Sequence, residues 1–178
     1  KHVQPGRYGD LEHPGDAFSY DIFSQVGRLL KDRAGELLNG TTQELLIAAG
    51  KSQGASWLST YVNAVDPLTA IYDGFFIHSR LGAVPGLEEP TQQGSSSGRI
   101  AGIRMRPEQR VPVLVLANEG DLIDHPEMIG YRHTRQPDSE RFRTWELAGA
   151  AHADSYAIGP ANVDTGLLPI SQLAAAFA

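Results

Sequence analysis

Cysteine is missing altogether from the 178 residues. That excludes disulfides and thiol nucleophiles, but it leaves the compartment open, because processed secreted and cytoplasmic proteins both fit. No apolar run approaches the ~20 residues needed to cross a bilayer, so no membrane span is expected. Basic residues are in the minority: 15 Lys and Arg against 21 Asp and Glu leave a formal charge of −6. Phosphate binding draws on clustered Lys and Arg, so nucleic acid is not an expected partner. The opening, KHVQPGRYGD, is polar and begins without Met. No signal peptide is expected in it, and residue 1 is not expected to be the gene's first. Internal repeats are also lacking.

The chain does have a hydrophobic fraction of 41% and 19 glycines. These suit a single α/β domain over residues 1–178. Residues 1–15 read as a surface segment. Phe18, Ile22, Val26, Leu29 and Leu30 then recur at helical spacing, with Asp16 as N-cap and Gly35 as the stop. This helix is expected to pack on a sheet. Residues 45–49 (LLIAA) form a short apolar run ending in Gly50-Lys51-Ser52-Gln53-Gly54, and a second helix is expected to about Val65. Further strands are expected at 75–78, 111–117 (VPVLVLA) and 141–147 (RFRTWEL). A helix is placed in part of 124–135, and a short one at 170–178. Residues 81–110 are rich in Gly, Pro, Ser and Gln, and are expected to form a mobile lid or insertion without regular structure. Strands alternating with helices predict a mostly parallel, doubly wound sheet covered on both faces.

The five residues 50–54 have G-x-S-x-G spacing. A strand turning sharply into a helix brings the residues two before and two after the serine together, and glycines relieve that crowding. Ser52 then stands clear at the strand's end, and the Gln53 N–H opens a helix and can donate to an oxyanion. The same stretch ends like a phosphate-binding loop, AAGKS. That motif needs a glycine at position 45, which is Leu45, and a loop where LLIAA stands.

Serine needs a base to take its proton and a carboxylate to orient the base. In this kind of fold the chain order is Ser, acid, His. The strand at 111–117 runs into Asn118-Glu119-Gly120-Asp121, and the strand at 141–147 into Ala148-Gly149-Ala150-Ala151-His152. In a parallel sheet those ends share one edge. His152 is therefore the expected base. Asp121 is preferred as the acid because Gly120 allows a tight turn before it, with Glu119 as the alternative and Asp124 a third choice. The other histidines, at 2, 13, 78, 125 and 133, lack this placement. His78 ends a strand and is read equally as pocket lining or as packing. Asp154 forms H-x-D with His152, but no further ligands stand at metal-binding spacing. Trp57 and Trp145 are expected in the core.

With these residues placed, the chain resembles the bacterial and fungal alpha/beta hydrolase domain proteins. The stretches that carry the likeness are HPGDAFSYDIFSQVGRLL, GKSQGA, YVNAVDPL, YDGFFIHSR, VPVLVLANEGD and RQPDSERFRTWELAGAAHADSY. Together they span most of residues 13–156. The resemblance implies an α/β-hydrolase fold, a Ser52–His152–Asp121 triad without cofactor, and hydrolysis of small carboxylic esters or similar acyl groups. A non-catalytic binding module and an acyltransferase are the alternatives. The elbow departs from the pattern at Lys51, where an acidic residue is expected. Members of the group are longer, with strands before the elbow and an oxyanion N–H from an upstream loop. The resemblance therefore implies that these residues are the C-terminal portion of the fold, completed by an upstream part or a second polypeptide.

Overall fold

The structure, a computed structural model, describes residues 4–12, 14–87, 99–126 and 128–153. Its centre is a four-stranded parallel sheet. The strands are β1 (Ile47–Lys51), β2 (Gly74–His78), β5 (Val113–Asn118) and β6 (Phe142–Leu147), lying side by side in the order β1-β2-β5-β6. The register sets Ala48 beside Phe75, Phe75 beside Val113 and Val113 beside Phe142. Because side chains alternate along a strand, these four residues with Ile77, Val115 and Ala117 line one face, and all are buried. Burying a side chain such as Ile77 stabilises by roughly 1.5–3 kcal/mol. On the other face, Ile47 and Trp145 are exposed and Phe76, Leu114 and Leu116 are half-buried.

The buried face is covered by α3 (Gln53–Thr60), which continues through a wide turn at Tyr61–Val65 into α4 (Asp66–Thr69). Leu58 and Val62 point inward at helical spacing, together with Ala55, while Val65 is only partly buried against the same core. A separate helix, α2 (Ser19–Leu37), follows a 3-10 turn at Asp16–Phe18 and packs against this assembly. Its caps differ from expectation: Phe18 occupies the N-cap of α2, and the helix passes Gly35. The buried face differs too, being Tyr20, Ser24, Gly27 and Ala34, while Phe18, Val26 and Leu29 face outward. The reason is close approach. A Cβ on Gly27 would stand 2.7 Å from the Tyr72 ring. The seam is hydrogen-bonded as well, with Ser24 Oγ 2.9 Å from the Tyr61 hydroxyl and Tyr72 donating to Phe23 O at 2.8 Å. Phe23 stacks on Tyr72. A polar-aromatic seam of this kind leaves no periodic apolar mark in the sequence.

Two further strands, β3 (Ala83–Pro85) and β4 (Arg99–Ala101), pair antiparallel. The expected structureless lid thus has a regular stem. Val84 is buried, and Thr60 donates to Pro85 O at 2.6 Å. Below the stem, Arg80 is 1% exposed. Its guanidinium donates to Leu81 O and Ile103 O and lies over the Tyr131 ring. Residues 88–98 of the expected lid lie outside the described residues, as does the helix expected at 170–178.

Among the described residues the short pieces α1 (Pro5–Tyr8) and α5 (Glu119–Leu122) complete the helices, with a 3-10 turn at Tyr131–Thr134. That turn is all the helix found where one was expected in 124–135. Residues His125 and Met128 instead bridge a tight reversal, which Asp124 pins by accepting the Gly130 N–H. Among the described residues, no helix is long and apolar enough to cross a membrane.

Candidate active site

The elbow begins at β1. Its strand lies two residues later than the LLIAA run, because the Leu46 N–H is taken by Asp73 and Leu45 stays exposed. The strand then turns into α3 at Ser52, whose backbone sits at φ 55°, ψ −118°. This is a costly conformation for a residue with a Cβ, of the order of 1–3 kcal/mol, and such strain gathers at functional sites. Gly50 is required: a Cβ there would lie 2.6 Å from Gly54 O. Gly54 is not, since a Cβ on it meets nothing within 4 Å. The Ser52 N–H bonds His78 O at 3.0 Å, tying the elbow to β2. The Gln53 N–H is among the first of α3, where no preceding turn offers a carbonyl.

The end of β5 carries the acid loop. Asp121 is fully buried. Its Oδ2 accepts the Asn118 N–H at 2.7 Å, and its Oδ1 lies 2.5 Å from His152 Nδ1. The end of β6 carries His152. The chain reverses at Gly149, whose φ of 73° is the left-handed region open to glycine. His152 Nε2 then reaches Ser52 Oγ at 2.8 Å. With the proton on Nδ1, the imidazole donates to Asp121 and accepts from Ser52. Serine, imidazole and carboxylate thus stand in one hydrogen-bonded line across three strand ends. In such a line the imidazole can take the serine proton while the carboxylate balances the charge it gains.

The alternative acids are engaged elsewhere. Glu119 accepts the Gly149 N–H at 2.5 Å and so braces the turn that delivers His152. Asp124 bonds Gly130, Arg132 and His133. The Gly130 N–H and His133 hold its carboxyl down to about 2. His78 stacks on Phe76 on the more open sheet face. Lys51, beside it in register, is exposed. Trp57 packs on Tyr20, but Trp145 lies exposed on β6, because its face of that strand is uncovered among the described residues. A cleft of about 240 Å³ lies behind the elbow, lined by Tyr20, Phe23, Gly50, Gly54, Trp57 and Tyr61 among others. His2, His13 and Asp154 lie outside the described residues. No group of three or more candidate metal ligands is found among the described residues.

Sequence reasoning passed over Asn118 and Ser79. Asn118 Nδ2 donates to Ser79 Oγ at 3.1 Å and to Ala151 O at 2.8 Å. The signal was present as Asn118-x-x-Asp121, a capping-box spacing directly after a buried strand.

The sequence model of the family described as alpha/beta hydrolase domain matches residues 1–175. The chain belongs to that family. No curated protein and no solved structure matches it.

Proposed function

We propose that this alpha/beta hydrolase domain protein is a serine hydrolase that cleaves small carboxylic esters, or similar acyl groups, through an acyl-enzyme on Ser52. The observation that carries the proposal is the line Ser52 Oγ–His152 Nε2 at 2.8 Å and His152 Nδ1–Asp121 Oδ1 at 2.5 Å. Ser52 Oγ attacks the carbonyl carbon and its proton passes to His152 Nε2. Asp121 holds the ring and offsets its positive charge. The carbonyl oxygen becomes an oxyanion, to which the Gln53 N–H donates. The tetrahedral intermediate collapses, and the leaving alkoxide takes the proton from His152. Water, deprotonated by the same imidazole, then attacks the acyl-enzyme and releases the acid and Ser52.

A second oxyanion N–H and a fifth strand belong to the proposal. Among the described residues β1 is paired on one side only, by β2. An upstream part of the protein or a second polypeptide would take the free side and bring that N–H with it.

The test is a fluorophosphonate probe, followed by an ester panel of varied chain length. Wild type should be labelled at Ser52. Ser52→Ala should lose labelling and about 10⁶-fold in kcat while keeping its circular dichroism spectrum. Failure of wild type to label would favour a non-catalytic binding role. Labelling with transfer to an alcohol in preference to water would favour an acyltransferase.

A further inference from the structure

We infer that Asn118 is a positioning residue whose carboxamide locks the acid loop to the base loop and so holds Asp121 at bonding distance from His152. The kinetic consequence rests on the serine-hydrolase proposal; the geometry does not.

Asn118 ends β5 and is 8% exposed. Both ends of its carboxamide are used. The carbonyl accepts the backbone N–H of Asp121, closing a capping box on α5. The amide nitrogen donates to Ala151 O at 2.8 Å and to Ser79 Oγ at 3.1 Å. Ala151 immediately precedes His152. The Asn118 backbone N–H meanwhile donates to Asp121 Oδ2 at 2.7 Å, the carboxylate oxygen turned away from the imidazole. One residue therefore touches the acid's side chain, the acid's backbone and the peptide that leads into the base.

A helix cap needs only an acceptor, which Ser, Thr or Asp would also supply. The donating half of the carboxamide is the surplus, and it points at the base loop. The neighbouring residues allow that loop little play. The Gly120 N–H bonds Ala150 O at 3.1 Å, and a Cβ on Gly120 would stand 3.1 Å from His152 N. The third partner, Ser79, is fully buried at φ 56°, off the end of β2. Its unusual backbone turns a hydroxyl to Asn118 instead of continuing the strand. The ends of β2, β5 and β6 are thereby joined through one side chain. Removing the donor frees Ala151 to drift, and displacements of ~1 Å in a catalytic group cost on the order of 100-fold in rate.

The test is Asn118→Ser in the full chain. Serine keeps the cap but cannot reach Ala151 O. Proton NMR reads the His152 Nδ1–H, which a short bond to a carboxylate moves far downfield. Steady-state kinetics on the best ester of the panel reads kcat and KM separately. In wild type the downfield proton should be visible. In Asn118→Ser it should move upfield or vanish by exchange, with kcat down about 10- to 100-fold and KM within about twofold. Asn118→Thr, better suited to a strand end, serves if the serine variant folds poorly. An unchanged resonance with kcat within twofold of wild type overturns the inference. So does a wild type without the resonance, or an activity loss that only follows the unfolded fraction. A wild type that shows the resonance but resists fluorophosphonate would count against the hydrolase proposal. Loss of that resonance in Asn118→Ser would still support the positioning role.

Discussion

At the scale of single residues, two carboxylates two positions apart have different surroundings. Asp121 is sealed from water and bonded to the imidazole, while Glu119 is exposed and bonded to a backbone N–H at Gly149. Asp121→Asn should therefore cost about 10⁴-fold in kcat, because an amide can hold the ring in the wrong tautomer and cannot balance its charge. Glu119→Gln still offers an oxygen to Gly149 and should stay within about twofold of wild type. Ester kinetics on both variants checks the assignment. The opposite ranking would give Glu119 the orienting role. The sequence already favoured Asp121, through Gly120, which allows a tight turn before it. It gave no view of Glu119 as a brace, because that contact is made across 30 positions of chain.

Among the elements, those with a strong local pattern were legible and those defined by partners were not. Strands β2 and β5 were readable from apolar runs and β6 from its alternation, to within one or two residues at their starts. The face of α2 was not, because small and polar residues make its seam. The hairpin stem was hidden because Gly- and Ser-rich flanks read as irregular. Arg80 beneath that stem has no acidic partner among the described residues, and burial pushes its guanidinium down to about 10, still charged at neutral pH. Arg80→Met should leave two carbonyls without their donor and cost about 1–3 kcal/mol in urea unfolding. An unchanged midpoint would show that the stem stands without it. At the opposite edge of the sheet, Asp73 accepts from Lys31 on α2 and from the Leu46 N–H before β1. These bonds hold its carboxyl below the ordinary value. The native state then binds fewer protons than the unfolded chain, so this stabilisation is present at neutral pH and fades as pH falls through the carboxylate range. The melting temperature of Asp73→Asn should trail wild type at pH 7, and the gap should close as the pH falls below the ordinary carboxylate value. A constant gap would mean the bond's strength does not depend on charge.

For the molecule as a whole, the open side of β1 makes the sharpest demand. Leu46 O accepts from Asp73 and the Ser52 N–H donates to His78, so the even-numbered residues of this stretch face β2. Ile47, Ala49 and Lys51 then turn their backbone groups to the free side. An apolar edge left bare invites association, and proteins cover such edges. If another strand takes them, as proposed, these three amides should exchange slowly with deuterium in the working protein. Exchange as fast as in a loop would refute the added strand.

The two ends of the sheet also differ in kind. At the strand starts, Asp73 holds Leu46, Arg110 reaches Asp66 and Tyr72 O, and Arg141 reaches the carbonyls of Gln109 and Arg110. At the strand ends stand Ser52, Ser79, Asn118, Asp121 and His152. A five-residue strand separates the two sets by about 17 Å. Substitutions that far apart without shared partners combine additively to within about 0.5 kcal/mol. Heritable change can therefore retune tolerance of heat or acid at one end with little direct effect on the geometry of the candidate site at the other.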